Sequence, residues 1–413
     1  MRIALTLLAI ALCLFLIQAS ARFGSSRLLA KYALVTNSIP AADKAVQLTP
    51  SDPEAHRTRA AILNRLQMTA EAATSLETAT SLRYRDDYLW IELGNTREEL
   101  GDTSNALAAL DQSVRWAPHY AHTHWQRGNL LLRMRRPQEA FNELREAAIA
   151  NPSYLPTLFD LAWGISGGDI KTTEAALEIK DDATRLALIR YLAQKGKGKE
   201  VVDQITKLST TLSTEKQNEV ARLLFAGKDY REAFELWRRS NNINSEQSLI
   251  NGGFEEPIPL TENGFGWIIA ADQKNRAAID VTENLSGARS LRITFDGAWA
   301  IGTPLLTQTI VVDPGKSYRL SFAVKTKDLM TGGPPVLLVN DANKNQLLGQ
   351  SVDFQTASTA WHTLSFTFNT LETSQAVIIR LQRSNCDSSP CPIFGTLWLD
   401  EFHIEQTEPT TKR

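Results

Sequence analysis

The chain has 413 residues, more than one hydrophobic core usually organises, with a formal net charge of -2, 22% charged and 43% hydrophobic residues. Two or three folded domains are the expectation. Near-neutrality argues against a nucleic-acid partner, and the ordinary apolar fraction excludes a wholly disordered chain.

At the N-terminal end, Arg2 precedes an apolar run, Ile3–Ile17, followed by Ala19-Ser20-Ala21. A basic residue, an apolar stretch and a small-x-small site form the layout of a secretory signal. Residues 1–21 are therefore assigned as a signal peptide or, if uncleaved, as an N-terminal membrane anchor that leaves the protein membrane-associated. A buried helix of a cytosolic protein is the competing reading. Cys13 follows Leu12, where a lipoprotein signal needs a small residue. Both export readings make the chain extracytoplasmic, either periplasmic or anchored and facing the periplasm.

From about Arg27 to Asn241 the sequence predicts consecutive helices, with apolar residues at three- and four-residue spacing. A 34-residue period runs through them. Trp90, Leu93, Gly94, Gly101, Ala106, Leu110 and Pro118 form one unit, and one period later stand Gly128, Ala140, Leu144 and Pro152. Ala60, Ala72 and Leu76 lie one period earlier, and Pro50 shares the phase of Pro118. This pattern resembles the tetratricopeptide repeat. The resemblance implies that Gly94 and Gly128 face Ala106 and Ala140 across close helix pairs, with Pro118 and Pro152 between units. Three units fit, at about 53–86, 87–120 and 121–154; Tyr84 departs from the phase proline, and Trp125 sits one place off Trp90. Residues 27–154 are assigned to repeats and 155–241 to degenerate helical repeats, including Ala183–Leu192 and Tyr230–Arg239. Gly227, Ala233, Phe234 and Trp237 look like half of a further unit. Such an array implies a groove for a protein partner that the sequence does not name. His119, His122 and His124 are read as surface or groove residues rather than metal ligands, because i and i+2 do not share a helix face.

Residues 242–247 are a polar linker. Beyond them, alternation replaces helical periodicity, predicting strands at Gly266–Ala271, Ala277–Thr282, Ser290–Phe295, Thr307–Val312, Tyr318–Thr326, Val336–Val339, His362–Phe368, Ala376–Gln382 and Thr396–Ile404. Asn251-Gly252-Gly253-Phe254-Glu255, Ser290–Ile293, Pro314–Phe322, Trp361 and Leu399-Asp400-Glu401-Phe402 follow in an order that resembles the galactose-binding-like jelly rolls, particularly carbohydrate-binding module families four and nine. The resemblance covers 248–406, and 407–413 is taken as a disordered tail. The expected fold is thus multidomain, an all-α tetratricopeptide-repeat solenoid followed by an all-β jelly-roll sandwich.

That resemblance implies a polysaccharide partner and a structural calcium, though no required cofactor. Glu255 and Asp400 match the carboxylate positions of such a calcium site. Flat aromatic faces suit pyranose rings, so Trp267, Trp299 and Trp398 are glycan-binding candidates, with Asn263, Gln308 and Arg380 as polar partners; Trp398 should face away from Leu397 and Leu399. Trp361 and Phe366 read as core. Cys386 and Cys391 flank a polar turn, and in an exported protein they read as a short disulfide loop, with a metal site as the rival. No strand-to-helix Gly-x-Ser-x-Gly elbow, P-loop or His-Glu-x-x-His motif is present, and Asp400, Glu401 and Glu405 lack the spacing of jelly-roll glycanases. The expected protein is a non-catalytic scaffold that joins a protein partner to a glycan. By analogy of architecture, it resembles proteins that accompany bacterial exopolysaccharide or O-antigen machinery. A pure protein-interaction module is the alternative, and a glycoside hydrolase the least favoured.

Overall fold

The structure, a computed structural model, describes residues 2–243, 248–258, 264–270, 276–386 and 389–407. The chain divides into two compact units, Met1–Ile179 and Lys180–Arg413.

The first unit is all helix: α1 (Arg2–Thr36), α2 (Ile39–Leu48), α3 (Pro53–Arg65), α4 (Thr69–Leu82), α5 (Asp87–Glu99), α6 (Thr103–Trp116), α7 (Ala121–Arg133), α8 (Pro137–Ala150), α9 (Leu155–Ile165) and α10 (Ile170–Leu177). Local chemistry sets several starts. Asp52, Asp86, Asp102 and Asp169 accept hydrogen bonds from the first-turn amides of their helices, and Pro53 and Pro137 occupy first-turn positions where no amide is needed. The three expected repeats coincide with the pairs α3/α4, α5/α6 and α7/α8. A β-carbon on Gly94 would lie 2.8 Å from Leu110 Cγ and 3.3 Å from the Ala106 carbonyl oxygen. One on Gly128 would lie 2.7 Å from Leu144 Cγ and 3.1 Å from the Ala140 carbonyl oxygen. Glycine at these two positions is what lets the paired helices approach. A further hairpin stands ahead of the recognisable repeats. The C-terminal part of α1 packs on α2 through buried Ala30, Ala33, Ala42 and Ala45, while the Ser26 hydroxyl donates to the Ala45 carbonyl at 2.9 Å.

The second unit opens with α11 (Asp182–Gln194), α12 (Gly198–Thr206), α13 (Thr214–Ala226) and α14 (Tyr230–Ser240). The strands that follow are β1 (Ile268–Ile269), β2 (Ala277–Asp280), β3 (Ser290–Asp296), β4 (Leu306–Val311), β5 (Ser317–Thr331), β6 (Pro335–Asp341), β7 (Leu347–Gln350), β8 (His362–Asn369), β9 (Ala376–Arg383) and β10 (Ile393–Thr407). They form two five-stranded antiparallel sheets, ordered β1-β4-β9-β6-β7 and β2-β3-β10-β5-β8. Inward side chains of both sheets, among them Leu291, Ile310, Phe322, Val339, Ile379 and Leu399, close one core. The expected strand at Gly266–Ala271 shrinks to two described residues, and β7 had no counterpart in the sequence reading. Thr407 belongs to β10 rather than to a tail; residues 408–413 lie outside the described residues.

The helices of this unit are bound to the sandwich. Phe265, buried ahead of β1, stands 5.2, 5.1 and 5.7 Å from the rings of Phe225, Phe234 and Trp237. Arg231 pairs with Asp313 at 2.7 Å, and Ser248 donates to the Val311 carbonyl at 2.7 Å. A polar break does separate helices from strands near 242–247, of which 244–247 lie outside the described residues. The compact unit nevertheless begins well upstream, at Lys180.

Candidate functional sites in the repeats and the sandwich

In the repeats, the 34-residue period places His56, Trp90 and His124 at one position, and the structure gives all three one task. The ring nitrogen of each lies 2.8 Å from a carbonyl oxygen six residues earlier, on Pro50, Tyr84 and Pro118 respectively. Each bond ties the start of a unit to the connection before it. His124 is therefore the counterpart of Trp90, which explains why Trp125 fell one place off. It is also buried, so of the three clustered histidines it is not a surface residue.

His124 uses both ring nitrogens. Nε2 meets the Pro118 carbonyl, and Nδ1 lies 2.7 Å from a Glu143 oxygen. Both neighbours are acceptors, so the doubly protonated ring is the form that satisfies both contacts. The bond to Glu143 raises the His124 pKa above its ordinary 6.5, against the opposing effect of desolvation. Burial works against the Glu143 charge, but its bonds to His124 and Arg127 outweigh burial and hold its pKa below the ordinary value. Arg127 joins Glu143 at 2.6 Å and Asp111 at 2.7 Å, completing a chain of charges across the pairs α5/α6 and α7/α8.

In the sandwich, the structure corrects the aromatic candidates. Trp267 is 2% exposed, packs on Phe402 and Phe254, and donates to the Asn251 carbonyl at 3.0 Å. Trp299 is 3% exposed, stacks flat on Phe295, and donates to the Thr303 carbonyl. Neither offers a free face to a sugar; both fill the core. Trp398 does point away from Leu397 and Leu399, yet it too is buried. Its Nε1 donates to Asp280 at 3.0 Å, Lys325 stands over its ring, and Arg292 pairs with Asp280 at 3.4 Å. Burial opposes ionisation of Asp280, but the bonds from Trp398 and Thr282 bring its pKa down to about 2. Gln308 is also interior: its amide donates to the Ile250 carbonyl at 2.8 Å. Asn263 lies outside the described residues.

Among the described sugar candidates, Arg380 alone keeps a partly exposed place. It sits on β9 between Ile379 and Leu381, which face the core, so its side chain belongs to the outward face of the sheet β1-β4-β9-β6-β7. Register sets Thr307 and Leu338 directly beside it, and Thr309, Ile378 and Asn340 form the next row. No hydrogen bond or ion pair to the Arg380 guanidinium exists among the described residues, and burial alone lowers its pKa. The buried Asn340 Oδ1 has no donor in reach either. The guanidinium and the partly exposed Thr307 hydroxyl beside it can read hydroxyl groups.

Glu255 and Asp400 approach one loop from two directions. Glu255 Oε1 accepts the amides of Ala288 and Arg289 at 2.9 and 3.3 Å. Asp400, fully buried, accepts those of Leu285 and Ser286 through one oxygen and of Glu401 through the other. Burial raises the Asp400 pKa, against the pull of these amides. Positive N–H groups thus stand where a cation's charge would have to be, and no group of three or more metal-ligating side chains exists among the described residues. In the structure these carboxylate oxygens are engaged by backbone amides of the 285–289 loop and of Glu401.

The cysteine pair forms the disulfide Cys386–Cys391. Arg383, which the sequence did not single out, anchors it. Buried at the end of β9, its guanidinium donates to the carbonyls of Trp299, Gly333 and Cys391 and approaches the Cys391 sulfur at 3.0 Å. Its place at an inward position of an alternating strand was the available signal.

These two constructions define a tetratricopeptide-repeat array and a carbohydrate-binding-module-like sandwich in one chain. A tetratricopeptide-repeat model matches residues 88–120, and a carbohydrate binding domain model matches residues 246–388. Among solved structures, the chain is similar to "Crystal structure of MamA" at 16% identity, covering 33% of this chain and 79% of that one with a TM-score of 0.30. It is similar to a PilF protein of Pseudomonas aeruginosa at 18% identity over 52% and 97%, TM-score 0.34. The carbohydrate-binding module TmCBM61, solved in complex with beta-1,4-galactotriose, matches at 18% identity over 40% and 100%, TM-score 0.28. No curated protein matches the sequence.

Proposed function

We propose that the protein is a non-catalytic extracytoplasmic scaffold that holds a protein partner on its helical repeats and a glycan on its sandwich, serving bacterial exopolysaccharide or O-antigen assembly or export. The observation that carries the glycan half is the carbohydrate-binding domain match over 246–388, which falls on a folded jelly roll. Within that domain we place glycan contact on the outward face around Arg380, because its guanidinium has no partner among the described residues and the partly exposed Thr307 stands beside it. Repeat pairs of the kind at 53–154 bind proteins, and the disulfide is consistent with an oxidising compartment. The test is binding of the full chain to a panel of bacterial glycans. At least one glycan should bind, and Arg380→Ala should weaken it about tenfold, as loss of a charged hydrogen bond does; no binding across the panel refutes the glycan half.

A second reading has its own support. The contact of Phe265 with α13 and α14 makes the sandwich a cap on those helices, as expected of a pure protein-interaction module. In that case the panel stays silent, and partner capture depends on the repeats.

A further inference from the structure

The helix α1 serves two environments at once. Its C-terminal part is the first helix of the array, with Ser26, Ala30 and Ala33 buried against α2. In its N-terminal part, Ile3, Leu7, Leu8, Ile10, Leu12, Leu14, Phe15, Leu16 and Ile17 are each more than half exposed. Four of these are consecutive, Leu14–Ile17, so the apolar surface runs around the whole helix and is not one stripe that could close on a single soluble neighbour.

Length and charge say what covers it. The nineteen residues Ile3–Ala21 contain no charged side chain and are bracketed by Arg2 and Arg22. As helix they extend about 28 Å, at 1.5 Å per residue, close to the roughly 30 Å of a bilayer's hydrocarbon core. The small-residue stretch Ala19-Ser20-Ala21 lies inside the helix, and no proline or glycine interrupts the sequence between Ile3 and Phe23. At the level of Arg22, the turn Leu48–Ser51 comes beside α1; Phe15, Ala19, Arg22 and Phe23 share a cleft of about 210 Å³ with Leu48 and Pro50. An uncharged apolar stretch that ends at one arginine matches the boundary between acyl chains and headgroups.

We infer that α1 is an uncleaved membrane-spanning helix continuous with the first repeat helix, so that the array stands on the bilayer with the membrane surface at Arg22. The partner of this surface is a lipid bilayer. The inference rests on the extracytoplasmic placement above, but the two fail separately. The wild-type full chain is expressed in a bacterium and its membranes are extracted with alkaline carbonate. The chain should remain in the membrane pellet with a mass that includes Ile3–Ala21. Cys13, in the middle of the span and the only free cysteine among the described residues, should resist a charged maleimide until detergent is added, while Ser25→Cys reacts at once. Release into the carbonate supernatant, a mass lacking Ile3–Ala21, or immediate labelling of Cys13 each overturns the inference. The compartment is read independently from whether Cys386 and Cys391 are joined in cells; reduced thiols overturn the extracytoplasmic reading and leave the span untouched.

Discussion

Residues 53–154 and 182–240 are both built of helical hairpins, yet only the first stretch keeps a 34-residue period. In 53–154 each hairpin meets another of the same kind, so the same contact recurs: a glycine against a leucine, an alanine at the crossing, a ring nitrogen on the carbonyl six residues back. In 182–240, α13 and α14 present Phe225, Phe234 and Trp237 to a loop residue of the sandwich, Phe265. A sequence period records a repeated neighbour, and it fades where the neighbour changes. The missing period at the end of 182–240 thus marks helices recruited to another domain.

The largest expected effect tests that recruitment. Phe265→Ala should destabilise the second unit by about 3–5 kcal/mol, the range for removing a buried phenylalanine. Calorimetry should then show the helical and β parts of the unit unfolding separately; one unsplit transition at the wild-type temperature would break the comparison. Next comes the loop clamp. Asp400→Asn should cost about 1.5–3 kcal/mol, as hydrogen bonds to a charged group are lost, whereas chelation of divalent ions should leave the wild-type melting temperature unchanged. A drop on chelation would restore the calcium reading.

The repeat side is sharpened by two glycines. Gly128→Ala should lose about 1–3 kcal/mol by overpacking against Leu144 and the Ala140 carbonyl. Gly164, inside α9, has nothing within 4 Å of an added β-carbon, so Gly164→Ala should gain about 0.5–1 kcal/mol. Equal responses would deny that close helix approach selects Gly128. The smallest effect is one of pH. Because its folded pKa is raised, His124 contributes stability that is full below about its ordinary 6.5 and is lost as pH rises through the folded value. Glu143, shifted down, contributes above its ordinary 4.5 and loses that contribution as pH falls through its folded value. The pair is therefore strongest between these ordinary values. The melting-temperature difference between wild type and Glu143→Gln should be greatest near pH 5.5 and shrink toward alkaline pH; a constant difference would contradict the imidazolium.

Strand alternation and the repeat phase were readable because each reflects a local period. Alternation placed Trp398 on the correct face, but the cover supplied by Asp280, Arg292 and Lys325 comes from three other parts of the chain, beyond what local pattern conveys. Trp267 and Trp299 lie at or outside the strand ends, where no period says which way a ring points, and both turned inward. β7 went unnoticed because four residues at a sheet edge carry little alternation. Arg380 was singled out by residue type, and alternation puts its side chain on the outward face, while Arg383, three residues on, was passed over although the same alternation makes it inward.

The most direct test of the account is hydrogen–deuterium exchange of the full chain with and without a glycan that binds it. The account predicts slowed exchange in 306–311, 335–341 and 376–383, the strands around Arg380, with the repeats unchanged. Slowing confined to the opposite sheet, to the helices, or to no segment would contradict it.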